Sequence, residues 1–182
     1  MMGRILTFIW VFCCSFASAQ QVYEVSSGTI EFNSKAPQEL IHASSDNLKG
    51  AIDLERKTFA FKIGISSFMG FNSPLQREHF NENYMETEVF PEASYSGKII
   101  EDVDLTKDGV YQVRAKGKLR IHGVEQERII RSTIISKRGR VSIQSDFVVL
   151  LADHNIKIPK VVYSKLSPEI NVTVNATMVQ RN

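Results

Sequence analysis

The run VYQVRAKGKLRI at residues 110–121 permits one backbone conformation. Tyr111, Val113, Ala115, Gly117, Leu119 and Ile121 take alternate positions, with Gln112, Arg114, Lys116, Lys118 and Arg120 between them. A strand sends alternate side chains to opposite faces, whereas a helix would scatter those polar groups around its circumference. The segment is therefore a strand with one dry face and one wet face. The same period of two governs Ile170, Val172, Val174, Ala176 and Met178. It recurs at Phe59, Phe61, Ile63 and Ile65 within residues 57–65, and at Ala93, Tyr95, Gly97 and Ile99. Residues 128–136 and 141–151 are β-branched and apolar but alternate less cleanly, which predicts partial cover on both faces. Residues 29–32, 40–44 and 48–54 are weaker strands. Turn signals separate the segments at Lys107, Asp108 and Gly109, at His122 and Gly123, at Lys137, Arg138 and Gly139, and at Asp153, His154 and Asn155. Many strands joined by short turns predict an all-β sandwich or an antiparallel up-and-down barrel.

The first residues belong to a different argument. Arg4 precedes an apolar run over residues 5–16, followed by Ala17, Ser18 and Ala19. A basic start, a short apolar run and small residues at a cleavage position make a secretory signal peptide. The run falls short of the roughly 20 residues a membrane-spanning helix needs. Residues 1–19 are expected to be cleaved, leaving 20–182 as one domain. Both cysteines, Cys13 and Cys14, leave with the leader, so no disulfide, thiolate nucleophile or Cys-ligated metal is expected. The formal net charge is only +2, and Arg4 is the one charged side chain before residue 20. That balance argues against a nucleic-acid partner, which calls for a clustered basic surface.

Residues 73–85 break the strand pattern. Ser73 suits an N-cap, Pro74 the first helical position and Gln76 the third, as in a capping box. Phe80 and Tyr84 stand one turn apart and share a face. A short helix with one narrow apolar stripe has to lie on something apolar, and in an all-β protein that is the open end of the sheet. Phe90 and Pro91 then return the chain to an extended path.

The order of these features carries a resemblance. A Phe-rich strand precedes MGFNSPLQREHFNENYMETEVFPEASYSGKI; a strand ending GKLRIHGVEQE follows, and then IKIPKVVYSKLSPEINVTVNATM. This resembles the YceI-like family over roughly residues 22–180 of the chain. The resemblance implies an antiparallel, lipocalin-like barrel of about eight strands with the helix at its mouth. It also implies a long apolar tunnel for an isoprenoid or other long-chain lipid, a periplasmic address and no catalytic activity. The first third, ELIHASSDNLKGAIDLERKTFAFKI, departs from the commoner family pattern and marks a divergent subgroup.

No enzyme chemistry competes with that reading. His42, His79, His122 and His154 sit in separate segments without a second His at metal-ligand spacing. His79, flanked by Glu78 and Glu82, reads as part of a solvated helix face. Glu101, Asp102 and Asp104 are ordinary carboxylates at a turn. His122 could reach a ligand head group at the barrel mouth, but the Ile121–Val124 stretch reads first as a tight hairpin. No cofactor or metal is expected.

Small inward residues (Gly97, Ala115 and Gly117) beside aromatic ones predict a cavity rather than a solid core, because cores otherwise fill to crystal density. The expected walls are Phe59, Phe61, Ile63, Tyr95, Tyr111, Val113, Ala115, Gly117, Phe147, Val172 and Val174. Phe68, Phe71, Phe80 and Tyr84 would form the mouth. On this reading the protein is a non-enzymatic carrier, and Gly117→Phe or Ala115→Trp should fill the cavity while the fold survives. The alternative is a filled barrel that binds another envelope protein. Whether two copies pair as a homodimer is left open.

Overall fold

A computed structural model describes residues 21–181; the expected leader, residues 1–19, lies outside the described residues. Nine antiparallel strands form one sheet: β1 (Val22–Lys35), β2 (Leu40–Ser45), β3 (Lys49–Asp53), β4 (Thr58–Gly64), β5 (Glu92–Ile99), β6 (Gly109–Ile121), β7 (Val124–Lys137), β8 (Arg140–Leu150) and β9 (Glu169–Gln180). The sheet order is β2, β1, β3 and then sequentially to β9, and β1 also pairs with β9, which closes the barrel. The upper half of β1 pairs with β2 and its lower half with β3, so these two short strands share one of eight positions around the wall.

The strand at residues 110–121 is nearly the predicted one. Val113, Ala115 and Leu119 are buried and every polar side chain between them is exposed. β1 is much longer than the expected residues 29–32. Its register with β9 shifts between Val25 and Ser27, and such a bulge breaks the period of two from which a strand is read. In β7 the expected double-sided cover is absent. Ile130, Ser132, Ile134 and Ser136 face inward, while Ile129 and Ile135 stand exposed on the outer face.

At the lower end the barrel is closed. Tyr23, Ile52, Leu54, Val113, Ile134, Val141 and Met178 form a floor, onto which the loop between β5 and β6 drops Leu105, fully buried. Tight hairpins stitch the wall. The link between β6 and β7 has His122 at φ 51° and Gly123 at φ 73°, the pair of positive values that a two-residue type I′ turn requires.

The break over 73–85 is a helix of two kinds. An α-helical stretch, α1 (Pro74–His79), passes directly into a π turn, Phe80–Tyr84, closed by Met85 N–H donating to Phe80 O at 2.9 Å. Ser73 caps α1 by accepting from the Gln76 backbone N–H at 3.1 Å. The other half of the predicted capping box differs by one residue: Gln76 Oε1 accepts from Asn72 N–H, not from that of Ser73.

No described helix is long and apolar enough to cross a membrane.

Candidate functional site

Above the floor the interior is not packed solid. It holds a cavity of about 610 Å³, within the usual range for small-molecule sites. Lining residues on β6 run from Val113 to Ile121. At about 3.3 Å per residue and a strand tilt near 40°, that span is about 20 Å along the barrel axis. The walls are mostly aliphatic and aromatic, and the charged lining side chains Glu39, Lys62 and Lys165 belong to the mouth half.

Of the expected wall residues, Phe59, Phe61, Ile63, Tyr95, Val113, Ala115, Phe147, Val172 and Val174 line this cavity. Phe68, Phe71, Phe80 and Tyr84 line its upper part. Tyr111 and Gly117 do not. Tyr111 packs against the floor cluster from below, and its hydroxyl donates to Lys107 O at 2.9 Å. Gly117 lies directly opposite Gly97 on β5. A Cβ on Gly117 would stand 2.2 Å from Ser96 O, and one on Gly97 would stand 2.1 Å from Lys116 O. The two glycines therefore mark close approach of two backbones, as at the tight bends of a barrel wall, not space left for a ligand. The expectation that Gly117→Phe would fill the cavity with the fold intact is overturned, because that side chain would meet backbone.

Tyr95 fixes the wall beside this pair. Its hydroxyl donates to Ala115 O at 2.6 Å, with Arg128 O 3.2 Å away, and its ring lies 4.9 Å from that of Phe59. Burial pushes the Tyr95 phenol up to about 12, so the cavity wall carries a neutral hydroxyl already committed to the backbone.

Sequence reasoning missed Phe32, which sits at the centre of the mouth. Its ring centroid is 5.3 Å from Phe68, 5.4 Å from Phe80 and 6.0 Å from Phe71. Phe71 and Phe80 are 5.0 Å apart, so these aromatics form one cluster above the cavity. Rings at such separations attract beyond their simple burial. The segment between β8 and β9 was also missed as a wall. It has no periodicity, yet Leu151, Ile156, Val162 and Leu166 turn into the cavity opposite the helix.

The lid is fastened at both ends. Arg77 donates to Phe68 O at 3.2 Å and Ser66 O at 3.0 Å, and Gln76 Nε2 donates to Glu39 at 2.8 Å. Beyond the π turn, His122 Nε2 meets Glu86 Oε2 at 2.6 Å and His122 Nδ1 lies 3.1 Å from His154 O. His122 therefore ties loops together and does not line the cavity. His154 is itself 1 % exposed with Nδ1 donating to Val124 O, and burial holds its pKa below the ordinary histidine range. His42 bonds Asn33, and His79 stands exposed at the rim. Among the described residues no group of three His, Cys, Asp or Glu side chains converges as a metal site.

This geometry has known counterparts. The family model of the YceI-like domain matches residues 19–178. Among solved structures, a polyisoprenoid binding domain from Saccharophagus degradans superposes with a TM-score of 0.72 at 14% identity, covering 89% of this chain and 100% of that one. BcnA of Burkholderia cenocepacia gives 0.66 at 12% identity over 82% of this chain and 95% of its own. The YCEI protein of Campylobacter jejuni gives 0.63 at 13% identity, covering 77% and 85%. At these identities the likeness is one of fold. No match is found among curated protein sequences.

Proposed function

The chain belongs to the YceI-like family, and from that premise we propose that it is a non-enzymatic carrier holding a long apolar ligand, a polyisoprenoid or another long-chain lipid, inside its barrel. The observation that carries this reading is the cavity: a closed floor, an apolar wall about 20 Å long by strand geometry, and an aromatic cluster at its mouth. Each ligand CH₂ taken out of water there would contribute about 0.8 kcal/mol. A chain of moderate length would thus bind well without any ionic contact. The Saccharophagus degradans structure, described as polyisoprenoid binding, supports the ligand class. The leader-like residues 1–19 support export and a periplasmic place of work.

The test is direct binding of a long-chain isoprenoid alcohol, measured by titration for the native chain and for two filled variants. Ala115→Trp and Val174→Phe each place a larger side chain from the wall into the cavity. Both should keep a cooperative unfolding transition and lose most of the affinity. A folded Ala115→Trp or Val174→Phe variant that binds like the native chain would overturn the proposal.

A further inference from the structure

Ser132 on β7 and Ser145 on β8 are directly opposed in the ladder, with hydroxyl oxygens 2.7 Å apart. Both are more than nine-tenths buried, at 8 % and 9 % exposed, and both line the cavity. Ser132 faces the floor residue Val113 directly across the β6–β7 ladder, and the upper wall residues Leu119 and Val149 lie further along β6 and β8, so the pair is deep in the barrel. Two hydroxyls that bond each other share one proton and leave the second unspent. Nothing in the wall takes it: among the described residues neither hydroxyl has another partner.

A second, part-buried serine pair shows how a purely structural pair is completed. Ser45 and Ser67 oxygens lie 2.6 Å apart, and Ser67 passes its proton on to Gly64 O at 2.6 Å, so both protons are placed. The Ser132–Ser145 pair lacks such an end point. An unused O–H in apolar surroundings is costly, and the natural completion is an oxygen supplied from the lumen. The charged lining side chains belong to the mouth half, so a charged head group would find no counter-ion at this depth.

Resting on the carrier reading, we propose that the ligand enters polar end first. Its neutral oxygen group, a hydroxyl or a carbonyl, bonds Ser132 and Ser145, and its hydrocarbon tail runs upward to Phe32 and Phe80. The preferred ligand is thus an oxygenated long-chain lipid, favoured over a plain hydrocarbon and over a phosphorylated lipid of the same chain.

Three probes of matched chain decide it: geranylgeraniol, the corresponding hydrocarbon and geranylgeranyl phosphate. The alcohol should bind about fivefold tighter than the hydrocarbon, the yield of one hydrogen bond. In the Ser132→Ala/Ser145→Ala variant, which removes both oxygens together, that ratio should fall to one or below, since the alcohol's hydroxyl is then buried without a partner, while hydrocarbon affinity holds. Should that variant fail to fold, Ser132→Val/Ser145→Ala gives the same reading, because it too leaves no hydroxyl at this rung, whereas a single alanine would leave one O–H free for the ligand. A ratio unchanged by these substitutions, or a phosphate that binds tighter than the alcohol, overturns the inference and leaves the carrier reading standing. Failure of all three probes to bind overturns both.

Discussion

Replacing Gly117 by alanine tests how the wall is built. The added methyl would sit 2.2 Å from Ser96 O, 2.8 Å from the Ser96 carbonyl carbon and 3.1 Å from Gly97 Cα. Ordinary contact begins well beyond 3 Å, so β5 and β6 must part locally by about 1 Å. A backbone hydrogen bond stretched by that amount is lost. Losing about two such bonds in a partly buried ladder, at roughly 1–2 kcal/mol each, costs on the order of 3 kcal/mol. For a domain of this size that is a fall of about 10 °C in Tm. Gly64→Ala is the control, because a methyl there meets nothing within 4 Å and Gly64 has φ −75°. That variant should lie within about 0.5 kcal/mol of the native chain, on the stable side if anything. Urea unfolding followed by far-ultraviolet circular dichroism gives both numbers. Hydrogen exchange should show Gly117→Ala loosening β5 and β6 first. If Gly117→Ala matches the native midpoint with the β5–β6 amides still protected, the close-approach argument is wrong.

Other expectations follow from single residues. Because burial pushes the Tyr95 phenol up to about 12, a spectrophotometric titration should show a late phenol step at about pH 12, and Tyr95→Phe should abolish that step. Ser73→Ala removes the cap of α1 and should cost about 1 kcal/mol, with α1 amide protection falling before that of the barrel. His154 is held below the ordinary histidine value, so the unfolded chain takes up a proton that the folded chain refuses. Its contribution to stability is therefore complete above about pH 6.5 and declines as pH falls toward the folded value. Urea midpoints between about pH 7.5 and pH 5.5 should fall for the native chain and flatten in His154→Gln.

Those residues also show what can be read from sequence and what cannot. The wall of β6 was legible because every outward position from Gln112 to Arg120 is polar and every inward one apolar or small. The cap of α1 was legible because Ser73 and Pro74 are chemical markers of a helix start. Phe32 fell inside the expected strand 29–32, but the bulge near Ser27 hid the full length of β1 and with it the place Phe32 takes in the wall. Ser132 and Ser145 were hidden for the opposite reason: a polar residue on the inner face looks like a fault in the pattern, and the exposed Ile129 and Ile135 deepen the confusion. Gly97 and Gly117 were misread because a missing side chain marks open space and backbone contact alike. Only coordinates separate the two. The resemblance pointed to the barrel and to the place of the helix, while the π turn and the fastening of the lid by Arg77 and His122 depend on contacts between distant segments.

The central claim, that the cavity exists to hold a long apolar molecule, is tested most directly by native mass spectrometry of the protein purified from its own source. A discrete added mass that disappears after organic extraction is the expected result. A bare chain in every preparation, together with no uptake of added isoprenoid alcohol, would contradict it.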